Sequence, residues 1–328
     1  MFMFWLSLAL GAVPLGLGES LQAGLRLAGL PVVAAGDISQ AEAIIGQIRL
    51  PRSLTGLLVG ALLAMSGVAM QGLFRNPLAD PGLIGVSSGA ALGAAGALVG
   101  GALLGGWPAA AQPYVLSVCA FAGGLGVTTL VYRLGRVQGQ TQVSTMLLAG
   151  IAVTALAGAV IGLFTYLADD SSLRSLVFWN LGNLSGAGFS GLLPLALVAL
   201  LVGCWLPRRA DALNALLLGE SEARHLGFAV ERLKAELVFC TALAVGAAVA
   251  AAGLIGFVGL VVPHLMRLLV GPNHRLLLPA AGLAGGTLLL LADLAARLLI
   301  APAELPIGIV TALIGAPFFI FLLLKRRA

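Results

Sequence analysis

The chain has 328 residues, 60% of them hydrophobic and only 9% charged, with 45 glycines and a formal net charge of +5. So little polar material cannot cover a water-soluble fold, and the composition also excludes a disordered chain and a disulfide scaffold. Basic residues are too sparse to track a phosphate backbone, so no nucleic-acid partner is expected. What remains is an all-α, polytopic membrane protein.

A helix needs about 20 apolar residues to cross a bilayer. Apolar stretches fall at Phe2–Gly18, Ser53–Phe74, Gly82–Leu104, Pro113–Tyr132, Val143–Leu167, Ser190–Leu206, Val230–Ala252, Gly253–Leu269, Leu276–Ala296 and Leu305–Leu324. They are continuous rather than alternating, which argues against a β-barrel. The first reads as an uncleaved membrane helix, because the first positive charge is Arg26 and a signal peptide would begin with a basic segment. The seventh and eighth are separated only by a glycine-rich hinge at Gly253 and Gly256. About ten transmembrane helices are therefore expected, in one permease domain over residues 1–328.

Alternation from an inside N-terminus places Arg75, Arg133, Arg136, Arg208, Arg209, Arg224, Arg232, Lys234, Arg267, Arg275, Lys325, Arg326 and Arg327 on the inner loops. Arg26, Arg49, Arg52, Arg174 and Arg297 fall outside, a split of 13 to 5 among the 18 basic residues. This bias supports ten spans with both termini cytoplasmic. Glycine pairs four apart, such as Gly56 and Gly60 or Gly89 and Gly93, suit close helix packing. Cys119, Cys204 and Cys240 lie in apolar runs without ligand spacing and read as small buried hydrophobes.

The chain carries no energy source of its own. Its two lysines, Lys234 and Lys325, sit in no glycine-rich phosphate loop. Ionisable groups in the spans are scarce, Asp293 and His264 being the nearest candidates for ion coupling. No hydrolase or metalloprotease motif is present. The expectation is a transport subunit, not an enzyme, driven by a partner on the cytoplasmic side.

Residues 207–234, PRRADALNALLLGESEARHLGFAVERLK, form the longest polar interruption. Asp211 is placed to cap a short helix that Gly219 ends. Glu220, Glu222 and Arg224 begin a second, which Gly227 ends. Two short helices across the membrane face would make a rigid knob; an ordinary loop with a basic rim is the alternative.

The run Gly219, Glu220, Ala223, Arg224, Leu226 and Gly227 resembles the coupling-helix motif of type II ABC importer permeases, the FecCD-type family for haem, iron-siderophores and cobalamin. Arg49-Leu50-Pro51-Arg52, LFRNPLADPGLIGVSSGAALG (73–93), GFVGLVVPHLMRLL (256–269) and LADLAARLLIAPAELPIGIVTALIGAPFF (291–319) resemble further family segments in the same order.

The resemblance implies a homodimer of ten-helix subunits in the bacterial inner membrane, with one pathway along the dimer axis. Two ATP-binding cassette ATPases, carrying the ATP and Mg, would each receive one coupling segment. A periplasmic binding protein would dock outside. Arg49, Arg52 and Arg297 are expected to meet its carboxylates, or else to anchor helix ends at the headgroups. Arg174 either faces the pathway or pairs with Asp169 or Asp170. Ser87, Ser88 and Asn76 line the pathway or cap the helix start. His225, His264 and His274 are poor haem ligands, since a permease must release its cargo. No resident cofactor or metal is expected. Overall likeness points to haem as cargo, with ferric siderophore and cobalamin as alternatives. A proton-coupled secondary transporter is the rival of another class.

Overall fold

The computed structural model describes residues 2–11, 13, 16–27 and 39–325. Helices α1 (Phe2–Ala9) and α2 (Leu17–Leu27) precede α3 (Ser39–Ala43), which runs through a π-helical turn at Ile44–Arg49 into α4 (Leu50–Leu73). There follow α5 (Val86–Leu103), α6 (Gln112–Leu134), a hairpin of β1 (Arg136–Val137) and β2 (Gln140–Thr141), α7 (Val143–Leu167) and α8 (Asp170–Asn180). The second half holds α9 (Phe189–Arg208), α10 (Ala210–Leu218), α11 (Glu220–His225), α12 (Val230–Ala252), α13 (Val258–Val270), α14 (His274–Leu298) and α15 (Ile307–Lys325).

Among the described residues seven helices are long and apolar enough to cross a membrane, and two shorter apolar helices, Val258–Val270 and Ile307–Phe321, join them. The protein is thus an all-α polytopic membrane protein, roughly as the apolar runs indicate. The first expected span differs. Its helix stops at Ala9, and a separate helix begins at Leu17; residues 12, 14 and 15 of that stretch lie outside the described set. The second helix carries Glu19 and Arg26 and is amphipathic rather than apolar.

Helix α4 is the hub, with 78% of its apolar window buried, against 17% for α7 and for α9. Small residues make this possible. A Cβ at Gly60 would strike the backbone of Gly285 and Gly286 on α14, and one at Gly67 would strike Gly259 on α13. Gly89 of α5 faces Gly123 of α6 in the same way. Backbones meet directly where hydrocarbon offers no hydrophobic drive for association. Cys204 departs from the expected burial and is exposed on α9.

The hinge between α12 and α13 exists because Gly253 takes φ +69°, and a Cβ there would meet the carbonyl of Trp179. The broken segments satisfy one another. Asn183 N donates to Ala252 O at 2.8 Å, and Ile307 N and Gly308 N donate to Gly182 O and Leu181 O at 3.1 and 3.0 Å. Irregular backbone inside a bilayer fold persists only when paired within the protein.

Replacing Gly60 by Leu therefore forces α4 from α14, an overpacking cost of about 1–3 kcal/mol or more. Gly60→Leu is expected to lower the unfolding midpoint in detergent, whereas Gly100→Leu, whose Cβ meets nothing within 4 Å, leaves it unchanged. Equal midpoints for the two variants would refute the close-contact role.

Candidate functional site: two polar ends of a helical bundle

One end of the bundle carries the knob. Helices α10 and α11 form on either side of Gly219 (φ +130°), and Gly227 (φ +87°) closes the second, conformations that favour glycine. Asp211 does not cap α10. It pairs side-on with Arg275 of α14 at 2.6 and 2.7 Å, and those bonds hold its carboxyl below the usual carboxylate range. Asn214 accepts from the His274 backbone N–H at 2.9 Å, and its Oδ1 also lies 2.8 Å from the His274 ring Nδ1. The knob is thereby fixed to the start of α14.

Within α11, Ala223 is fully buried, while Glu222, Arg224 and His225, and Leu226 just after the helix, are exposed. Leu218 and Leu226 show 69% and 60% of their surface. Glu220 of the coupling-helix motif is half-buried and turned inward: its Oε2 takes a bond from Lys234 at 2.6 Å. Lys234 escaped the sequence analysis as a functional residue. The available signal was Glu231 and Lys234, three apart, at the start of an apolar run in a chain with two lysines.

The opposite end holds the arginines, and they are buried rather than displayed. Arg49, Arg52 and Arg297 expose 3%, 6% and 3% of their surface. Arg52 lies between Asp293, at 2.8 Å, and Glu304, at 2.9 Å. Arg297 meets Asp293 at 3.1 Å and donates to Ser7 Oγ at 2.9 Å. Among the described residues Arg49 has no carboxylate partner; it donates to the carbonyls of Leu8 (2.8 Å) and Ala9 (2.6 Å) at the end of α1 and of Val13 beyond it. The first helix folds over the three guanidinium groups, which a hydropathy profile cannot show. Among the described residues, three cations against two carboxylates leave the cluster with a positive excess.

Asp293 is 1% exposed and clasped by two arginines.

Arg174 is exposed on α8 and makes no ion pair among the described residues. Asp169 is occupied otherwise: it caps α8, accepting from Ser172 N at 3.0 Å and Ser171 Oγ at 2.9 Å, and these bonds lower its pKa. Ser88 Oγ donates to Gly85 O at 3.0 Å and lies 3.1 Å from Thr154 Oγ1 of α7. Ser87 lines a cavity of about 170 Å³ with Asp80 and the Leu254–Gly256 hinge. Asn76 closes a local turn by accepting from Leu78 N at 3.0 Å. A larger cavity, about 400 Å³, lies between α6, α9 and α12 near Thr55, Ser117 and Pro194. Among the described residues no three His, Cys, Asp or Glu side chains converge on a metal position.

A helical bundle with a rigid two-helix knob at one end and a charge cluster at the other defines a transport permease that takes its energy from outside. The chain belongs to the FecCD transport family, whose model matches residues 1–325. It is similar to the hemin transport permease HmuU of Yersinia pestis, 48% identical over 85% of this chain and 83% of that protein. It is also similar to the vitamin B12 import permease BtuC of Salmonella paratyphi A, 46% identical over 91% of this chain and 89% of that protein. A solved metal-chelate type ABC transporter in an inward-facing conformation superposes with a TM-score of 0.84 at 37% identity, covering 99% of this chain and 96% of that one. The protein is accordingly the permease subunit of an ABC importer, a multi-pass inner-membrane protein and not itself an enzyme. Membership in an ABC family sets aside the proton-coupled alternative.

Arg52→Ala leaves Glu304 without its arginine and Asp293 with Arg297 alone. Removing one partner of a buried pair costs about 3–5 kcal/mol, so the variant is expected to unfold at a markedly lower temperature in detergent. Arg52→Ala with Asp293→Asn should recover part of that loss. A single variant as stable as the parent would contradict the assigned burial.

Proposed function

We propose that the protein imports haem, taking it from a periplasmic binding protein and passing it along the axis of a homodimer. In this reading residues 1–328 are one transmembrane domain. Residues 207–234 are its coupling segment, both termini are cytoplasmic, and two ATPase subunits bind below. Gly219, Glu220, Ala223, Arg224, Leu226 and Gly227 build the docking knob. The exposed Leu218, Leu226 and Arg224 offer the apolar and charged contact that an ATPase groove requires.

The binding protein is proposed to dock at the other end. Arg49, Arg52 and Arg297 act there through the positive excess of their cluster. Glu304, a third exposed, is the carboxylate that a binding-protein glutamate can replace on Arg52.

The observation that carries the choice of haem is Arg174, exposed in the first turns of α8 and without an ion pair among the described residues. Two copies in a dimer present two guanidinium groups, the complement of two propionates. Ser87 and Ser88 are proposed to line the pathway below. Cobalamin is the second reading, favoured by the longer match to the vitamin B12 permease.

The test compares haem with haem dimethyl ester in cells that depend on this permease for uptake. A charge-assisted bond is worth about 1.5–3 kcal/mol, or roughly tenfold or more. Arg174→Gln is expected to lower haem uptake by about that factor and to leave the already low ester uptake unchanged. Equal uptake of haem by parent and variant would remove Arg174 from cargo recognition.

A further inference from the structure

Lys234, the last residue of the polar segment 207–234, is the largest fully buried side chain in the described structure, 1% exposed. Its Nζ donates to three acceptors on three segments: Glu220 Oε2 of α11 at 2.6 Å, Thr141 O of β2 at 2.8 Å and Glu231 Oε1 of α12 at 3.1 Å. Glu231 closes the ring, its Oε2 accepting from Thr141 N at 2.7 Å. Arg224, on the exposed side, approaches Glu220 and Glu231 at 3.5 and 3.4 Å. All three ammonium donors are used.

A buried ion cluster adds little net stability compared with apolar packing, so its physical value here is directional. An apolar contact lets surfaces slide; three hydrogen bonds to one nitrogen fix three segments at one position. The hairpin in turn is continuous with α7. Gln142 N donates to Gly135 O at 2.9 Å, and a Cβ at Gly135 would come within 2.7 Å of Met146 Cβ. Helix α7 is weakly held by its own subunit, with 17% of its window buried. Little of α7 has to leave packed neighbours when its first turn is pushed, and its far end leads into α8 and Arg174.

We infer that Lys234 is a positioning residue that ties the knob helix α11 to the hairpin before α7, so that displacement of α11 by the ATPase is delivered to α7. This rests on the coupling role proposed for residues 207–234. Glu220 is the input contact, Lys234 the junction and Thr141 the output contact. The relay involves no change of protonation and no chemistry.

The experiment is amide hydrogen exchange on the full chain in complex with its ATPase in lipid nanodiscs, with and without ATP and vanadate. In the parent, nucleotide is expected to change exchange at residues 220–226 and at 136–142, the Thr141 amide being the direct reporter of the Glu231 bond. In Lys234→Met the response at 220–226 persists while that at 136–142 falls at least tenfold, and Lys234→Arg restores it. Because the methionine leaves Glu231 without its buried cation, Glu220→Gln is measured beside it. This variant keeps an acceptor and should lose the response at 136–142 in part. An equal hairpin response in Lys234→Met and the parent overturns the relay while leaving the coupling role standing. No response at 220–226 in the parent, with the ATPase bound, overturns both.

Discussion

A bilayer supplies no hydrogen bonds, and the backbone groups and charges of this chain inside it have to be answered by another part of the chain. That constraint accounts for the helices, and it accounts equally for the exceptions to them. Where α12 breaks at Gly253, the freed carbonyl of Ala252 takes the Asn183 N–H, and the loop after α8 accepts from the start of α15. Where arginines lie under α1, they are surrounded by carboxylates, Ser7 and backbone carbonyls. The glycine contacts of α4 serve the same end, since they seat the segments closely enough for such partners to meet.

The two polar ends meet the constraint in different ways. Beneath the knob, one ammonium group and two half-exposed carboxylates gather three segments into a single joint, while Leu218 and Leu226 remain uncovered. At the other end, three guanidinium groups are enclosed and only Glu304 keeps substantial access to solvent. The first arrangement suits a surface that must receive a partner and move as a unit. The second suits a fixed frame, clamping α1, α4, α14 and the loop before α15 together. Between them α4 lies at the buried centre, and α7, like α9, has little of its surface buried.

Much of this was legible in the sequence. Apolar runs of bilayer length place nearly every long helix within a few residues, because a span is a composition before it is a shape. Gly219 and Gly227 mark the ends of the knob helix because only glycine adopts those backbone angles easily. What was not legible depends on contacts between distant segments. Ser7 and Arg297 meet across 290 positions, so the burial of the arginines has no local signature. Phe2–Gly18 has the composition of a span yet does not form one continuous helix. Glu220 sits in an exposed-looking motif, but its partner Lys234 lies 14 residues away beyond a helix end. Asp211 has the sequence of a cap and is captured by Arg275, 64 residues on.

The central claim is that an outside ATPase drives cargo through this subunit. It is tested most directly by reconstituting the chain with its ATPase and binding protein in proteoliposomes. Haem, a ferric siderophore and cobalamin are offered in parallel, with and without enclosed ATP. Uptake of haem that appears only with ATP is the predicted result. Uptake that proceeds equally without ATP would contradict the claim, whichever cargo was carried.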